Sequence, residues 1–473
     1  MTQKVDLSNV EVKGNAPESV VAADRIPFWT KMSYGAGDVG AAIVSQVSGF
    51  FLTTFLLDVA GLLPALASAM LLIVNIWDAV IDLPLGNLSD NTRSRFGRRR
   101  SWLLFGAVPF GIAFILMWVV PPIGNQWGKF AYYLLVAMGL RLTFSIVNIA
   151  YTAMTPEMTP DYNERTRLNT FRFTFSVLGG VTAVVIYQQI TALFEDKALG
   201  SLVAAVGLGL AIMISSLIPF FGTREQAMHE HAPDDDLGMW GGVRMAFNNR
   251  PFILVVLIFL LSWVTVQFVQ SNLFAYMRYW FRDESLFTGF VIILQLIAVA
   301  FFPVWSWVST RFGKRYTYFA GAAVMALTLS YTFFLQPGNT FVLYTIAFFA
   351  GTGVSMILLI PWSMLPDVIE WNELQTGQRH EGVFYSLFVF AQQIGLGLAL
   401  ATSTGILGAV GYISPVDGII PQQPENVLFT LRLFISFIPV GLLLLSIPLV
   451  IAYPITRQKF AEIRAELAER KAK

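Results

Sequence analysis

Val74–Asp90 reads VNIWDAVIDLPLGNLSD, an apolar stretch that carries Asp78 and Asp82 four residues apart. A second stretch, Leu140–Thr155 (LRLTFSIVNIAYTAMT), holds Arg141 in the same way. An ionised side chain in hydrocarbon is costly, so such residues face a wet interior or a partner and mark a solute or ion path. Transport is therefore the first functional expectation.

The rest of the chain supports a membrane setting. Of 473 residues, 55% are hydrophobic and 13% charged, which is too apolar for a soluble globule. A net charge of +1 gives no basic face for nucleic acid. With no cysteine there are no disulfides and no thiolate-held zinc. The polar first 28 residues lack the pattern of a cleaved leader, so the first span is expected to direct insertion.

A crossing helix needs about 20 mostly apolar residues. On that ruler, spans are predicted at 33–60, 65–90, 101–122, 128–155, 165–193, 198–222, 252–280, 285–310, 316–336, 340–365, 382–411 and 428–453. The expected fold is an all-α membrane protein with twelve transmembrane helices. Arginine and lysine crowd alternate loops: Arg93, Arg95, Arg98, Arg99 and Arg100 after the second span, and Arg311, Lys314 and Arg315 after the eighth. Leu62–Pro64, Pro337–Thr340 and Ser414–Val427 contain neither. By the positive-inside rule both ends are cytoplasmic.

The two halves echo each other. RFGRR at 95–99 answers RFGKR at 311–315, and AMTPE at 153–157 answers SMLPD at 363–367. A parallel six-span repeat predicts two bundles with a central cavity between them. The division expected is a tail at 1–29, a bundle at 30–222, a polar connector at 223–250, a second bundle at 251–453 and a tail at 454–473.

Asp78 and Asp82 share one helix face, one turn apart. Two adjacent carboxylates resist joint ionisation unless a cation joins them, which ties the pair to Na⁺ or H⁺. Ser145 is a candidate third oxygen. Counting about 1.5 Å per residue from the basic ends predicts two charge layers, Asp82/Asp38/Arg172 and Asp78/Arg141. Candidates to face the solute are Asp38, Arg141, Asn148, Tyr151 and Arg172 in the first half. In the second they are Trp263, Gln267, Gln270, Trp362, Tyr385, Gln392 and Gln393, since amides and rings suit hydroxyl-rich or amphiphilic ligands. The alternative for each is ordinary interhelical contact. Asp90, Arg95, Arg98, Glu157, Arg311, Arg315 and Asp367 are candidates for a gate on the basic side. His229-Glu230-His231 reads as solvated loop rather than metal site. The sequon Asn87-Leu88-Ser89 lies on the cytoplasmic side and is discarded. Residues 460–473 read as a surface helix. No catalytic set or phosphate loop is found, so no enzyme activity and no cofactor are expected. The expected partners are a small-molecule substrate and lipid, the protein acting as a monomer.

The motifs Ser33-Tyr34-Gly35, Asp58-Val59-Ala60-Gly61-Leu62, Ile76-Trp77-Asp78-Ala79 with Asp82, and Arg93-Ser94-Arg95-Phe96-Gly97 carry a resemblance. Pro160-Asp161, Glu164-Arg165, Pro366-Asp367 and Glu381-Gly382 extend it over most of the chain. The chain resembles the glycoside–pentoside–hexuronide:cation symporter family of the major facilitator superfamily. The resemblance implies the major facilitator fold, a cation site at Asp78 and Asp82, Arg172 beside a sugar pocket, and alternating access. Positions that carry sugar- or ion-binding side chains in the family's disaccharide carrier are here Ala42, Asn148, Thr152, Gln393 and Ile81. That implies a different solute and one oxygen fewer for the cation, which favours H⁺ over Na⁺. The eukaryotic sodium-dependent lysophosphatidylcholine symporters look like distant relatives of this branch, so a lysolipid-like amphiphile is the alternative cargo. A receptor or structural protein without flux is the alternative of another class.

Overall fold

The fold, obtained as a computed structural model, is described for residues 26–90, 92–159, 162–223, 238–378, 380–415 and 421–472. Among them twelve helices are long and apolar enough to cross a membrane. They are α1 (Phe28–Val59), α2 (Pro64–Asp90), α3 (Arg100–Met117), α4 (Gln126–Met158), α5 (Tyr162–Leu193) and α6 (Lys197–Gly222), then α8 (Arg250–Phe281), α9 (Ser285–Phe312), α10 (Lys314–Phe334), α11 (Thr340–Thr376), α12 (Glu381–Ala409) and α13 (Glu425–Ala452). Two short helices, α7 (Gly238–Asn248) and α14 (Arg457–Ala472), lie outside the spans. His229, Glu230 and His231 fall outside the described residues.

Lipid offers the backbone no hydrogen bonds, so each crossing segment satisfies its own. Helix packing then depends on close approach, which small residues allow. Between α3 and α6, a Cβ added at Gly111 would lie 2.5 Å from the Gly209 carbonyl oxygen. Gly111→Leu is therefore expected to strain the first bundle by about 1–3 kcal/mol. A melting curve in detergent showing no loss would contradict this.

α1 and α8 end alike. Each closes on a five-residue π-helical turn, Phe55–Val59 and Met277–Phe281, at matching places in the two halves. Such turns add a residue to the helical repeat and re-aim the side chains they carry.

The helices that begin or end at the arginine-rich loops define a basic face; the other ends form the opposite face. One apolar core runs through the first bundle and joins the opposite-face half of the second, including Phe274, Phe287, Leu343, Leu407 and Phe434. The basic-face half of the second bundle has its own core, with Phe259, Met364 and Phe388. The seam of α2 with α12 is equally one-sided. Cβ atoms added at Gly397 and Gly408 would lie 2.5 Å from Asn75 Cβ and 2.6 Å from Pro64 Cβ, and Ser68 donates to the Ala401 carbonyl at 2.6 Å. The bundles thus close on each other at the opposite face.

Two segments depart from expectation. The connector predicted as a loop contains α7, whose glycines (GMWGGVRMAFN) are poor helix formers. Packing stabilises it instead: Gly242 lies against Val383, and Ala246 is buried. α11 runs to Thr376, eleven residues past the predicted end of its span at 365. Its polar extension is held by α14, where Arg464 meets Glu370 at 3.2 Å and Ile463 is buried. α14 is thus docked rather than lying free on the surface.

Candidate functional site

Helical spacing sets two pairs of side chains opposite one another. α2 presents Asp78 and Asp82, and α4 presents Arg141 and Ser145, each pair one turn apart. The result is a ladder. On the deeper rung Arg141 Nη1 stands 3.6 Å from Asp78 Oδ2; on the other, Ser145 Oγ donates to Asp82 Oδ1 at 2.5 Å. Asp78 is 1% exposed, and neither of its oxygens has a hydrogen-bond partner. Ser145 is buried as well, whereas Asp82 is half-buried and the Arg141 side chain is 18% exposed, so the ladder is dry at Asp78 and Ser145 and partly accessible at Asp82 and Arg141. Buried carboxylate oxygens without donors, beside a further carboxylate and a hydroxyl, suit a hard monovalent cation.

The layer Asp82/Asp38/Arg172 is not how the charges pair. Arg172 Nη2 reaches Asp38 Oδ1 at 3.2 Å, whereas Asp82 takes Ser145. Within the predicted layer, Asp38 and Arg172 pair and Asp82 does not join them. Asp78 and Arg141 do meet, as expected from their depth.

Arg172 belongs to a second cluster. Its guanidinium carbon sits 5.0 Å from the Tyr151 ring centroid, and its buried Nε has no partner. Tyr151 donates to the Tyr34 carbonyl at 2.6 Å, and Tyr34 in turn bonds Thr155 and the Tyr151 carbonyl. Tyr151 is therefore a buried platform beneath Arg172 rather than an open contact. Asn148, on the same helix, is half-buried.

In the second bundle Phe259 and Phe388 stack at 4.1 Å, flanked by Trp263 at 6.0 Å and Trp362 at 5.0 Å. Tyr385 lies 6.5 Å from Trp362 and is exposed. The buried Trp263 Nε1 has no partner. The glutamines separate into three settings. Gln270 and Gln295 both donate to Gln46 of α1, at 3.5 and 3.1 Å, forming an amide junction between bundles. Gln267 is buried, and Gln392 and Gln393 are half-buried.

At the basic face, Arg98 and Arg99 meet Glu157 at 2.5 and 3.1 Å, and Lys314 meets Asp367 at 2.7 Å. Arg315 donates to the Tyr453 carbonyl at 2.5 Å, while Arg95 and Arg311 lie over Phe96 and Trp307. Each of these contacts stays within one bundle and braces neighbouring helix ends. The Asp90 side chain lies outside the described residues. Glu164, ahead of the spanning part of α5, meets Lys31 at 2.7 Å. Burial raises its carboxyl, but the bond and charge of Lys31, with Arg167 and the Ile26 N–H, hold it below the ordinary value.

The opposite face holds a site that sequence reasoning missed. Asp58, on the π turn of α1, accepts from Arg278 Nη1 and Tyr279 of the α8 π turn, each at 2.7 Å, and from Tyr412. Arg278 Nε also reaches Glu284 at 2.6 Å. Asp58 and Arg278 are both buried, and the network ties the two bundles together. In the sequence Asp58 stands out only as part of a family motif. The overlooked signal was a charge near the matching end of the first span in each half.

Residues 33–457 match the family described as MFS/sugar transport protein. An uncharacterised symporter of Synechocystis sp. is 35% identical, covering 95% of this chain and 98% of that one. A glucuronide carrier protein homolog of Escherichia coli is 30% identical (94% and 97% covered). The sodium-dependent lysophosphatidylcholine symporter 1-A of Danio rerio is 29% identical (92% and 87%). Among solved structures, a bacterial homolog of the human lysosomal transporter Spinster aligns with a TM-score of 0.62 at 11% identity, covering 93% of this chain and 96% of that one. The Escherichia coli xylose transporter XylE gives 0.60 at 14%, covering 92% and 98%. These likenesses show the major facilitator fold.

Proposed function

The chain belongs to the MFS/sugar transport protein family, and from that premise we propose that it is a Na⁺-coupled symporter of a glycoside or other hydroxyl-rich solute. The observation that carries this reading is the ladder of α2 and α4, which brings two acids and a hydroxyl together within the spans. The unpartnered oxygens of Asp78, with Asp82 and Ser145, form the cation site. Of the H⁺ and Na⁺ that the sequence leaves open, this oxygen supply suits Na⁺. The sodium-dependent relatives point the same way.

Arg172, with its unpartnered Nε, and the ring cluster of Trp263, Trp362 and Tyr385 face the solute from the two bundles; Gln392, Gln393 and Asn148 complete the wall. With the basic face in the cytoplasm, this conformation is closed to the outside at Asp58–Arg278 and at the α2–α12 seam. Closing the cavity around uncompensated charge is expensive, so Na⁺ and solute together permit the switch that neither permits alone.

Uptake into proteoliposomes tests this. A Na⁺ gradient is expected to accumulate a labelled glycoside or glucuronide, and a pH gradient at equal Na⁺ is not. The likeness to the lysophosphatidylcholine carrier makes labelled lysophosphatidylcholine the second arm; accumulation there alone would replace the sugar reading. No Na⁺-dependent movement of any of these would sink the symporter reading.

A further inference from the structure

The ladder already contains one cation. Arg141 stands 3.6 Å from Asp78 without a hydrogen bond to either carboxylate oxygen. The same protein shows what a committed pair looks like: Arg278 approaches Asp58 to 2.7 Å, and two tyrosine hydroxyls complete the carboxylate. Arg141 is instead a loose neighbour, partly exposed, on the helix that also supplies Ser145. Its charge acts on both Asp78 and Asp82.

A Na⁺ ion between the two acids would stand close to this guanidinium. Two like charges about 4 Å apart in a partly buried site repel strongly. Ion and arginine therefore exclude each other at Asp78. We propose that Arg141 is a tethered counter-ion: it neutralises Asp78 while no Na⁺ is bound, and Na⁺ displaces it toward the cavity. There its planar donor fork meets the oxygens of the solute. This rests on the symporter reading and deepens it, because it assigns one residue to two steps. Displaced, Arg141 links ion occupancy to solute affinity. Returned, it lets the empty carrier reorient without a bare carboxylate in a low-dielectric interior.

The test uses the full-length protein in detergent, titrated with NaCl against choline chloride at constant ionic strength and followed by tryptophan fluorescence. In Arg141→Gln the tethered competitor is gone, so the half-saturating Na⁺ concentration is expected to fall by about tenfold or more. Arg141→Lys keeps a charge on a different stem and is expected to fall by only about threefold. It also supplies the reading if Arg141→Gln does not fold. In proteoliposomes, Arg141→Gln is expected to retain Na⁺-dependent solute exchange while net uptake slows by about tenfold, because only net uptake requires the empty return. A purely structural arginine would lower the melting temperature and leave the Na⁺ midpoint in place. An unchanged or raised midpoint in both variants overturns the proposal while leaving symport standing. A wild-type protein that ignores Na⁺, or answers pH alone, removes both.

Discussion

Asp82→Asn is expected to abolish Na⁺-driven accumulation while the protein still folds. The amide is nearly isosteric and its carbonyl still accepts from Ser145, so the 2.5 Å contact between α2 and α4 survives. What disappears is one of the two charges of the proposed cation site. Asp82 is half-buried, so losing its charge should lower Na⁺ affinity by about tenfold or more. Concentrative uptake in proteoliposomes should drop to the gradient-free level. Solute exchange at high Na⁺ should decline far less, which separates lost coupling from a damaged fold. Accumulation equal to wild type would remove Asp82 from the ion site.

Asp58→Asn should have the second largest effect, on conformation rather than on coupling. Asp58 is where α1 meets both α8 and the segment after α12, through Arg278, Tyr279 and Tyr412. Losing one member of a buried ion pair costs about 3–5 kcal/mol. Arg278 keeps Glu284 at 2.6 Å, so the effect here is reduced to about 2 kcal/mol, roughly a 30-fold shift toward opening at this face. The chain has no cysteine, so thiols introduced by Gly124→Cys and Gln336→Cys would be the only ones to label. Both positions are exposed on opposite-face loops of different bundles. A longer spin-label distance should gain population in the Asp58→Asn background; an unchanged distribution would show that the lock does not hold the bundles.

Much of this architecture was legible in the sequence, because hydropathy and arginine placement are one-dimensional signals. The spans were placed, and the spacing of Asp78 and Asp82 put them on one face. What was not legible depends on rotation about helix axes. Equal depth grouped Asp82, Asp38 and Arg172, but of these only Asp38 and Arg172 pair, while Asp82 takes Ser145, the hydroxyl named beside it from sequence. Tyr151 likewise faces Tyr34 rather than open space. α7 and the far end of α11 escaped because they are stabilised by neighbours, Val383 and α14, instead of by their own composition. The π turns escaped because an extra residue in a helical repeat leaves no mark in an apolar run.

The apolar core shared by the two bundles at only one face has a thermal consequence. Parting the bundles there wets aromatic and aliphatic surface around Phe274, Phe287 and Phe434, which raises heat capacity. The equilibrium between the two facing states therefore curves with temperature, and because burial of such surface weakens on cooling, cold tilts this carrier toward the form that is open at this face.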